Sequence, residues 1–425
     1  MKFESYWHDT APRFTGASAS PVEGDYDVAV IGGGFTGLAA ARQIAKAGAR
    51  VVVLEANRVG WGASGRNGGH LNNGLAHSFI SAKAELGTER AIALYRALDD
   101  SVDTIEKIIA EEGIDCNFRR AGKLKLASKP QHFDAIARNF EAVHREVDPD
   151  TALLTASDLK AEIGSPFHGA MLSKKSAMMH MGRYVVGLAT AASKYGATIF
   201  ENAAVTSHQV AGGKHRLTTT RGTVSADHVL VATGAYTSGS SFSYFRRRII
   251  SVGSFIIATR PLTEAEIAAT MPSNRTCVTS LNIGNYFRLS PDNRLIFGGR
   301  ARFSATSDQR SDGKSGAILR AGLAEIFPQL AKVEIDYCWG GLVDMTKDRY
   351  PRAGFVDGVW YAMGYSGHGA QLSTHLGMIM ADAILGKPDR NPLKGLDWPA
   401  VPGQFGKPWF LPLVGLYYKT LDRFQ

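Results

Sequence analysis

Cysteine is scarce in this 425-residue chain: only Cys116, Cys277 and Cys338 occur, and none forms a C-x-x-C pair. A disulfide framework and a cysteine-built zinc site are therefore excluded, and no metal is expected. No stretch reaches the roughly 18 consecutive apolar residues that a membrane-spanning helix requires. Residues 1–10 carry acids and aromatics where a secretory signal would have a basic region and an apolar run, so cytoplasmic residence is expected. The chain shows no internal repeat, no low-complexity linker and no nucleic-acid reader motif. Charge of one sign is not concentrated either: 48 basic against 39 acidic residues give +9, spread along the chain. Such a balance describes a solvated basic surface, or one that attracts anionic substrates or cofactors. With 44% hydrophobic and 20% charged residues the composition is that of a globular protein. At roughly 150 residues per domain the length suggests two to three domains.

What is present begins abruptly after a polar leader, residues 1–24, expected to pack over the surface. Residues 27–31 (DVAVI) form a continuous apolar run, as a buried parallel strand requires. Gly32, Gly34 and Gly37 follow in G-x-G-x-x-G spacing, with Phe35 and Thr36 between them. The first glycine suits a tight turn, the second a close approach to pyrophosphate, and the third close helix–strand packing. A helix-forming stretch runs to Gly48, and a second strand ends at Glu55, 55 − 37 = 18 residues past the last glycine. That acid is placed to accept hydrogen bonds from an adenosine ribose and would repel a 2′-phosphate, which leaves FAD and NAD. Residues 58–74 then hold six glycines in seventeen positions, interleaved with Arg58, Trp61, Arg66, Asn67, His70 and asparagines. Backbone so free of Cβ atoms can lie against something flat and polar, as a flavin ring is.

The run Gly62-Ala63-Ser64-Gly65-Arg66-Asn67-Gly68-Gly69 resembles the D-amino-acid-oxidase-like superfamily of FAD oxidoreductases, closest to its γ-glutamylputrescine oxidase and secondary-amine oxidase branch. The resemblance extends over nearly the whole chain. It implies that the cofactor is FAD, and that Glu55, Ala56, Arg58 and the 62–69 loop contact it. Val205 resembles the position whose backbone meets the adenine, and Thr233-Gly234 the A-T-G block of FAD folds. Gly364–Gln371 opens a helix, a natural anion site. It resembles the element that faces the flavin, with Gly367, His368, Gly369, Ala370 and Gln371 lining it. Gln371 stands where the related sarcosine oxidases have lysine. Their cysteine attachment point falls at Gly341, three residues from Cys338, so non-covalent FAD is expected.

For the substrate side, residues 251–259 read as a strand, and 286–289 with 294–298 as a hairpin about Ser290-Pro291-Asp292-Asn293. The resemblance aligns the sarcosine oxidases' oxygen-activating lysine with Ile296 and their active-site histidine with Arg300. Arg300 becomes a candidate clamp for carboxylate. The carboxylate-gripping arginine of glycine and D-amino-acid oxidases falls at Val343. Asp344, next to it, is either an ammonium acceptor or a cap for backbone amides. Tyr286, His70, Asp344, His368 and Arg300 complete the candidate catalytic set.

The expected architecture is α/β (α+β overall): a Rossmann-like FAD domain (25–84, 168–242, 340–390) interleaved with a mainly antiparallel substrate domain (85–167, 243–339). The site would lie between them. Periodic apolar residues predict helices over 95–109 and 133–147, both structural. The tail, 391–425, is apolar and aromatic around 409–421; packing on the body, a peripheral membrane contact and a partner contact all fit it. The resemblance implies FAD-dependent oxidation of a secondary amine or N-substituted amino acid, of the γ-glutamylputrescine, iminodiacetate or sarcosine type. Hydride would pass to flavin N5, the imine would hydrolyse to an aldehyde or oxo acid plus an amine, and O2 would be reduced to hydrogen peroxide. A dehydrogenase using a quinone or partner protein, and a flavin-binding subunit without chemistry, are the alternatives.

Overall fold

The computed structural model describes the chain apart from residues 239, 240, 300, 301, 407 and 425 and the side chains of 309–311. Two eight-stranded sheets organise it. The first runs Arg352–Val356, Val359–Met363, Gly222–Val231, Asp25–Ile31, Val51–Leu54, Thr198–Phe200, with an antiparallel pair, Val205–Ala211 and Lys214–Thr219, beside the third. Its centre is parallel: Asp25–Ile31 pairs in parallel with both Gly222–Val231 and Val51–Leu54. Helices Phe35–Lys46, Met181–Lys194 and Gly369–Ile384 pack beside it. This explains why Val28–Ile31 and Val51–Leu54 are apolar throughout: both faces of these strands are buried.

The second sheet runs Ile335–Met345, Ile250–Pro261, Arg294–Gly299, Asn285–Leu289, Thr276–Thr279, Lys123–Leu126, Gly169–Ser173, Ala152–Thr155. It is antiparallel except where Thr276–Thr279 meets Lys123–Leu126. Its strands alternate in burial. Leu124, Leu126, Phe255, Ile257, Phe287, Phe297 and Cys338 pack outward beneath the Gln309–Ile326 helix. The opposite face, which carries Lys123, Lys125, Ser254, Ile256, Tyr286, Arg288 and Ile296, looks toward the nucleotide side and roofs it. The α/β architecture with an antiparallel roof is thus as the sequence predicts.

Three details differ from expectation. The leader is mostly exposed, but it is anchored in the core: Tyr6–Asp9 is a short helix whose Trp7 is fully buried. The helix over 95–109 is two helices, Thr88–Asp99 and Ser101–Glu112, which meet at Asp100. The second of these belongs to the nucleotide side, where Arg42 pairs with Glu111 and Glu112. Gly169–Ser173 belongs to the roof sheet, so the chain crosses back to the nucleotide side after residue 173 and not at 168.

Candidate functional site

The first strand ends at Ile31, and Gly32–Gly34 turn the chain into the Phe35–Lys46 helix. Gly37 sits in its first turn, where a Cβ would collide with the Gly32 carbonyl and lie 2.9 Å from Val30. Gly34 is the N-cap and supplies no side-chain acceptor, so the positive end of the helix stays open to an anion. Ser64 Oγ accepts the Phe35 N–H at 2.9 Å, which brings the 62–69 loop to this helix end. Glu55 ends the second strand. Its carboxylate accepts the N–H groups of Gly33 (2.7 Å) and Asn57 (2.8 Å), and burial pushes its pKa up. Ala56 is exposed at this edge, and Arg58 pairs with Glu4 at 3.6 Å. Asn202 and Ala203 donate to the carbonyls of Asn57 and Glu55, so Val205 follows directly from that edge. Thr233 and Gly234 close the other side: Ala232 N–H donates to the Ile31 carbonyl, and Thr233 Oγ1 meets Thr237 Oγ1 at 2.6 Å.

The glycine-rich loop is held from outside as well as by itself. Asn67 folds over it, donating to the Ala63 and Ser64 carbonyls and accepting the Gly69 N–H at 2.9 Å. Arg66 donates to Trp61 and Gly340 carbonyls, and its guanidinium lies 5.0 Å from the Trp61 ring centre. Arg66 Cβ would be 3.0 Å from a Cβ at Gly341, and Gly62 packs on the Tyr236 ring. The leader supplies three more holds. Ser5 Oγ donates to the Gly65 carbonyl and Trp7 Nε1 to the Asn67 carbonyl, both at 2.6 Å, and His8 Nε2 sits 3.0 Å from the Gly60 carbonyl.

A second helix starts beside the first. Thr36 Oγ1 meets the Tyr365 hydroxyl at 2.7 Å, and the turn through Ser366 and Gly367 leads into Gly369–Ile384. His368 is its N-cap and offers no capping hydrogen bond, and Gly367 faces open space. Ala370 is half-buried. Gln371 is buried and donates to the Asn72 carbonyl, while Asn72 Oδ1 is buried without a partner.

Above these helix ends lies the roof. Tyr286 packs against Gly68, where a Cβ would fall 2.5 Å from its ring, and its hydroxyl is 3.1 Å from Ser254 Oγ. His70 makes an edge contact with Tyr286 at 5.5 Å, and its ring nitrogens face the carbonyls of Gly68 (3.1 Å) and Phe287 (3.3 Å). Burial, aided by Arg288, brings its pKa down to about 3. His368 is likewise lowered to about 3 by burial, and the leading charges acting on it, Lys123, Arg349, Lys125 and His77, all have one sign. Asp344 Oδ2 accepts the Gly364 N–H at 2.6 Å, and burial raises it to about 6 against the backbone bonds that favour the anion. It therefore caps backbone amides. Arg300 lies outside the described residues. Ile296 is fully buried between Arg288 and Ala258, an apolar position in the roof.

Three cations were not singled out by sequence reasoning. Lys123 sits mid-roof. Its charge reaches both His70 and His368, and burial and Lys125 lower its pKa to about 8, opposed by Asp99 and Asp148. Its ammonium forms no ion pair or hydrogen bond among the described residues. Arg349 donates to the Ala76 carbonyl at 3.0 Å and likewise has no carboxylate partner among them. Arg288 is fully buried and donates to the Gly69 (2.7 Å) and Met179 (3.1 Å) carbonyls. The signal for two of them was period-2 alternation: K-L-K-L at 123–126 and Y-F-R-L at 286–289 each put apolar side chains on one face and polar ones on the other.

The groups present fit a flavin dinucleotide. Two adjacent helix starts without side-chain caps suit its diphosphate and the electron-rich edge of its ring. Glu55 suits a ribose, and the orphaned Asn72 Oδ1 beside Gln371 is a hydrogen-bond acceptor with nothing to accept. Comparison with known proteins decides the matter. The family model described as DAO, FAD dependent oxidoreductase, matches residues 27–383.

The chain belongs to the DAO family.

Among curated relatives, a probable oxidoreductase, OrdL, of Haemophilus influenzae is 35% identical over 94% of this chain and 92% of its own length. The gamma-glutamylputrescine oxidoreductase of Escherichia coli K12 is 32% identical over 93% of each. Among solved structures, glycine oxidase from Geobacillus kaustophilus superposes with a TM-score of 0.75 at 24% identity, covering 89% of this chain and all of that one. Iminodiacetate oxidase from Chelativorans gives 0.69 at 19%, covering 86% and 97%; likeness at such identities speaks for the fold alone. This DAO-family protein is an FAD-dependent oxidoreductase acting on amines or amino acids. No cluster of metal-ligating groups occurs among the described residues, and no helix among them is long and apolar enough to cross a membrane.

Proposed function

We propose that this enzyme oxidises a secondary amine or N-substituted amino acid that carries a carboxylate, of the γ-glutamylputrescine, iminodiacetate or sarcosine type. FAD, held without a covalent bond, would supply the two-electron oxidation of the carbon next to nitrogen and pass the electrons to O2 as hydrogen peroxide. One observation carries the substrate assignment: Lys123 and Arg349, neither with a carboxylate partner among the described residues, both direct positive charge at His368. Half-buried cations without a carboxylate partner are costly, and an anionic ligand offsets that cost. The helix that starts at His368 adds positive charge of its own.

The roles follow from the residues. Lys123 and Arg349 hold the substrate acid, as charge-assisted donors do. Tyr286, fixed between Gly68 and Ser254, covers the substrate with a ring and a hydroxyl. His70 and His368 stay neutral above about pH 3 and leave the amine free of a competing charge; His70, its ring nitrogens facing the Gly68 and Phe287 carbonyls, packs against Tyr286. Asp344 positions the Gly364 turn. The Cys338 thiol donates to the Asp312 carbonyl at 3.1 Å, and burial raises its pKa to about 12, which supports non-covalent FAD. Transfer to a quinone or protein is the second reading, favoured by Ile296 where an oxygen-activating lysine would stand.

The test is anaerobic mixing of flavin-loaded protein with secondary amines and amino acids, with and without a carboxylate, followed by air. Bleaching by an acid-bearing amine, then rapid recolouring with peroxide, is the expected result. Bleaching only by neutral amines would refute the substrate class. Bleaching without recolouring would replace O2 by another acceptor.

A further inference from the structure

The chain ends in a helix, Leu411–Phe424, that is amphipathic and carries apolar residues on its outer side. Leu411 is buried. Gly415 lies so close to Phe303 that a Cβ would meet its ring at 2.8 Å, and Tyr418 stacks on the same ring at 6.1 Å. Asp422 accepts the backbone N–H groups of Asn282 and Ile283, both at 2.8 Å, and Lys129 donates to its carbonyl at 2.5 Å. The helix is therefore docked. Yet its other face is out in water: Trp409 is 70% exposed, Leu413 64%, Leu416 65%, Tyr417 60% and Phe424 80%. The helical spacing of Leu413, Leu416, Tyr417 and Phe424 places them on one stripe, and Trp409 stands in the turn just before the helix. Covering apolar surface stabilises, so a stripe this large marks a contact.

We infer that this stripe docks onto an anionic lipid surface, with the helix lying in the plane of the interface. Charge and composition argue for that occupant. The only acid of the helix, Asp422, is turned inward and consumed by backbone donors, whereas Lys419 and Arg423 are exposed along one edge of the stripe. Trp, Tyr and Phe with Leu on one face and Lys and Arg beside it are what a bilayer–water boundary selects. Fourteen residues span about 21 Å as a helix, too short to cross a bilayer and long enough to lie along it. The +9 net charge adds long-range attraction of the same sign.

The experiment is co-sedimentation of full-length, flavin-loaded protein with phosphatidylcholine vesicles and with vesicles that also contain phosphatidylglycerol. Binding to the anionic vesicles, weakened by salt, is expected. Leu413→Glu/Leu416→Glu should weaken it by on the order of 10- to 100-fold while leaving the flavin spectrum unchanged. Comparison with Trp409→Phe should show that the Trp409 emission shifts to the blue on binding. Equal sedimentation of wild type and double variant would overturn the inference. So would a concentration-dependent dimer abolished by that variant, which would assign the face to a second copy.

Discussion

The nucleotide side and the roof of the same site are built by opposite routes. On the nucleotide side, strand, glycine turn, helix, strand and acid follow one another within Asp25–Glu55, so each group is positioned by its neighbours in the chain. In the roof, Tyr286, Lys123 and Ser254 come from three separate stretches and meet only through strand pairing. Local construction yields a motif that is readable by spacing. Long-range construction yields a surface whose sequence signal is only alternation.

The leader and Arg288 break that division, and the largest effects are expected there. Trp7 is fully buried, donates to the Asn67 carbonyl and lies 5.3 Å beneath the Arg288 guanidinium. Trp7→Ala should cost about 3–5 kcal/mol and release FAD, read by thermal unfolding and by bound-flavin absorbance. A variant that unfolds earlier yet retains flavin would show that the leader does not organise the loop. Arg288→Met should cost about 2–4 kcal/mol, because the Gly69 and Met179 carbonyls lose their buried donor. Flavin affinity should fall with it; unchanged affinity would uncouple roof from loop.

Asp344, at the seam, gives the smallest effect and one with a defined sign. Burial raises its folded pKa from 3.8 to about 6. Its charge thus opposes folding fully above about pH 6, and stability is regained as the pH falls toward 4. Asp344→Asn should flatten that slope, by at most about 3 kcal/mol, in denaturant titrations across this range. An unchanged slope would mean that the carboxylate is not penalised in place.

This contrast explains how much was legible. The FAD fold could be read from Gly32, Gly34, Gly37 and Glu55, because sterics tie each to its neighbours. The glycine loop of 62–69 was equally plain. The leader's anchoring was not legible because nothing local shows that Ser5, Trp7 and His8 reach carbonyls some sixty residues on. Asp344 left two readings open until the Gly364 turn was seen to donate to it. Lys123 went unnoticed because a charged residue in an alternating strand usually faces water, and only sheet order shows that this face is covered; Arg349 lies in the turn after Ile335–Met345, where no periodicity marks it.

The proposed substrate class stands or falls with recognition of an acid by Lys123 in the roof. The direct measurement is kcat/KM for an acid-bearing amine and its neutral ester, in wild type and Lys123→Met, from pH 6.5 to 9.5. Wild type should lose affinity for the acid as the pH rises through about 8, where Lys123 gives up its charge. Lys123→Met should lower kcat/KM for the acid by about 10- to 100-fold and remove that pH limb, leaving the ester unaffected. Equal losses for acid and ester, or a limb that persists in the variant, would contradict it.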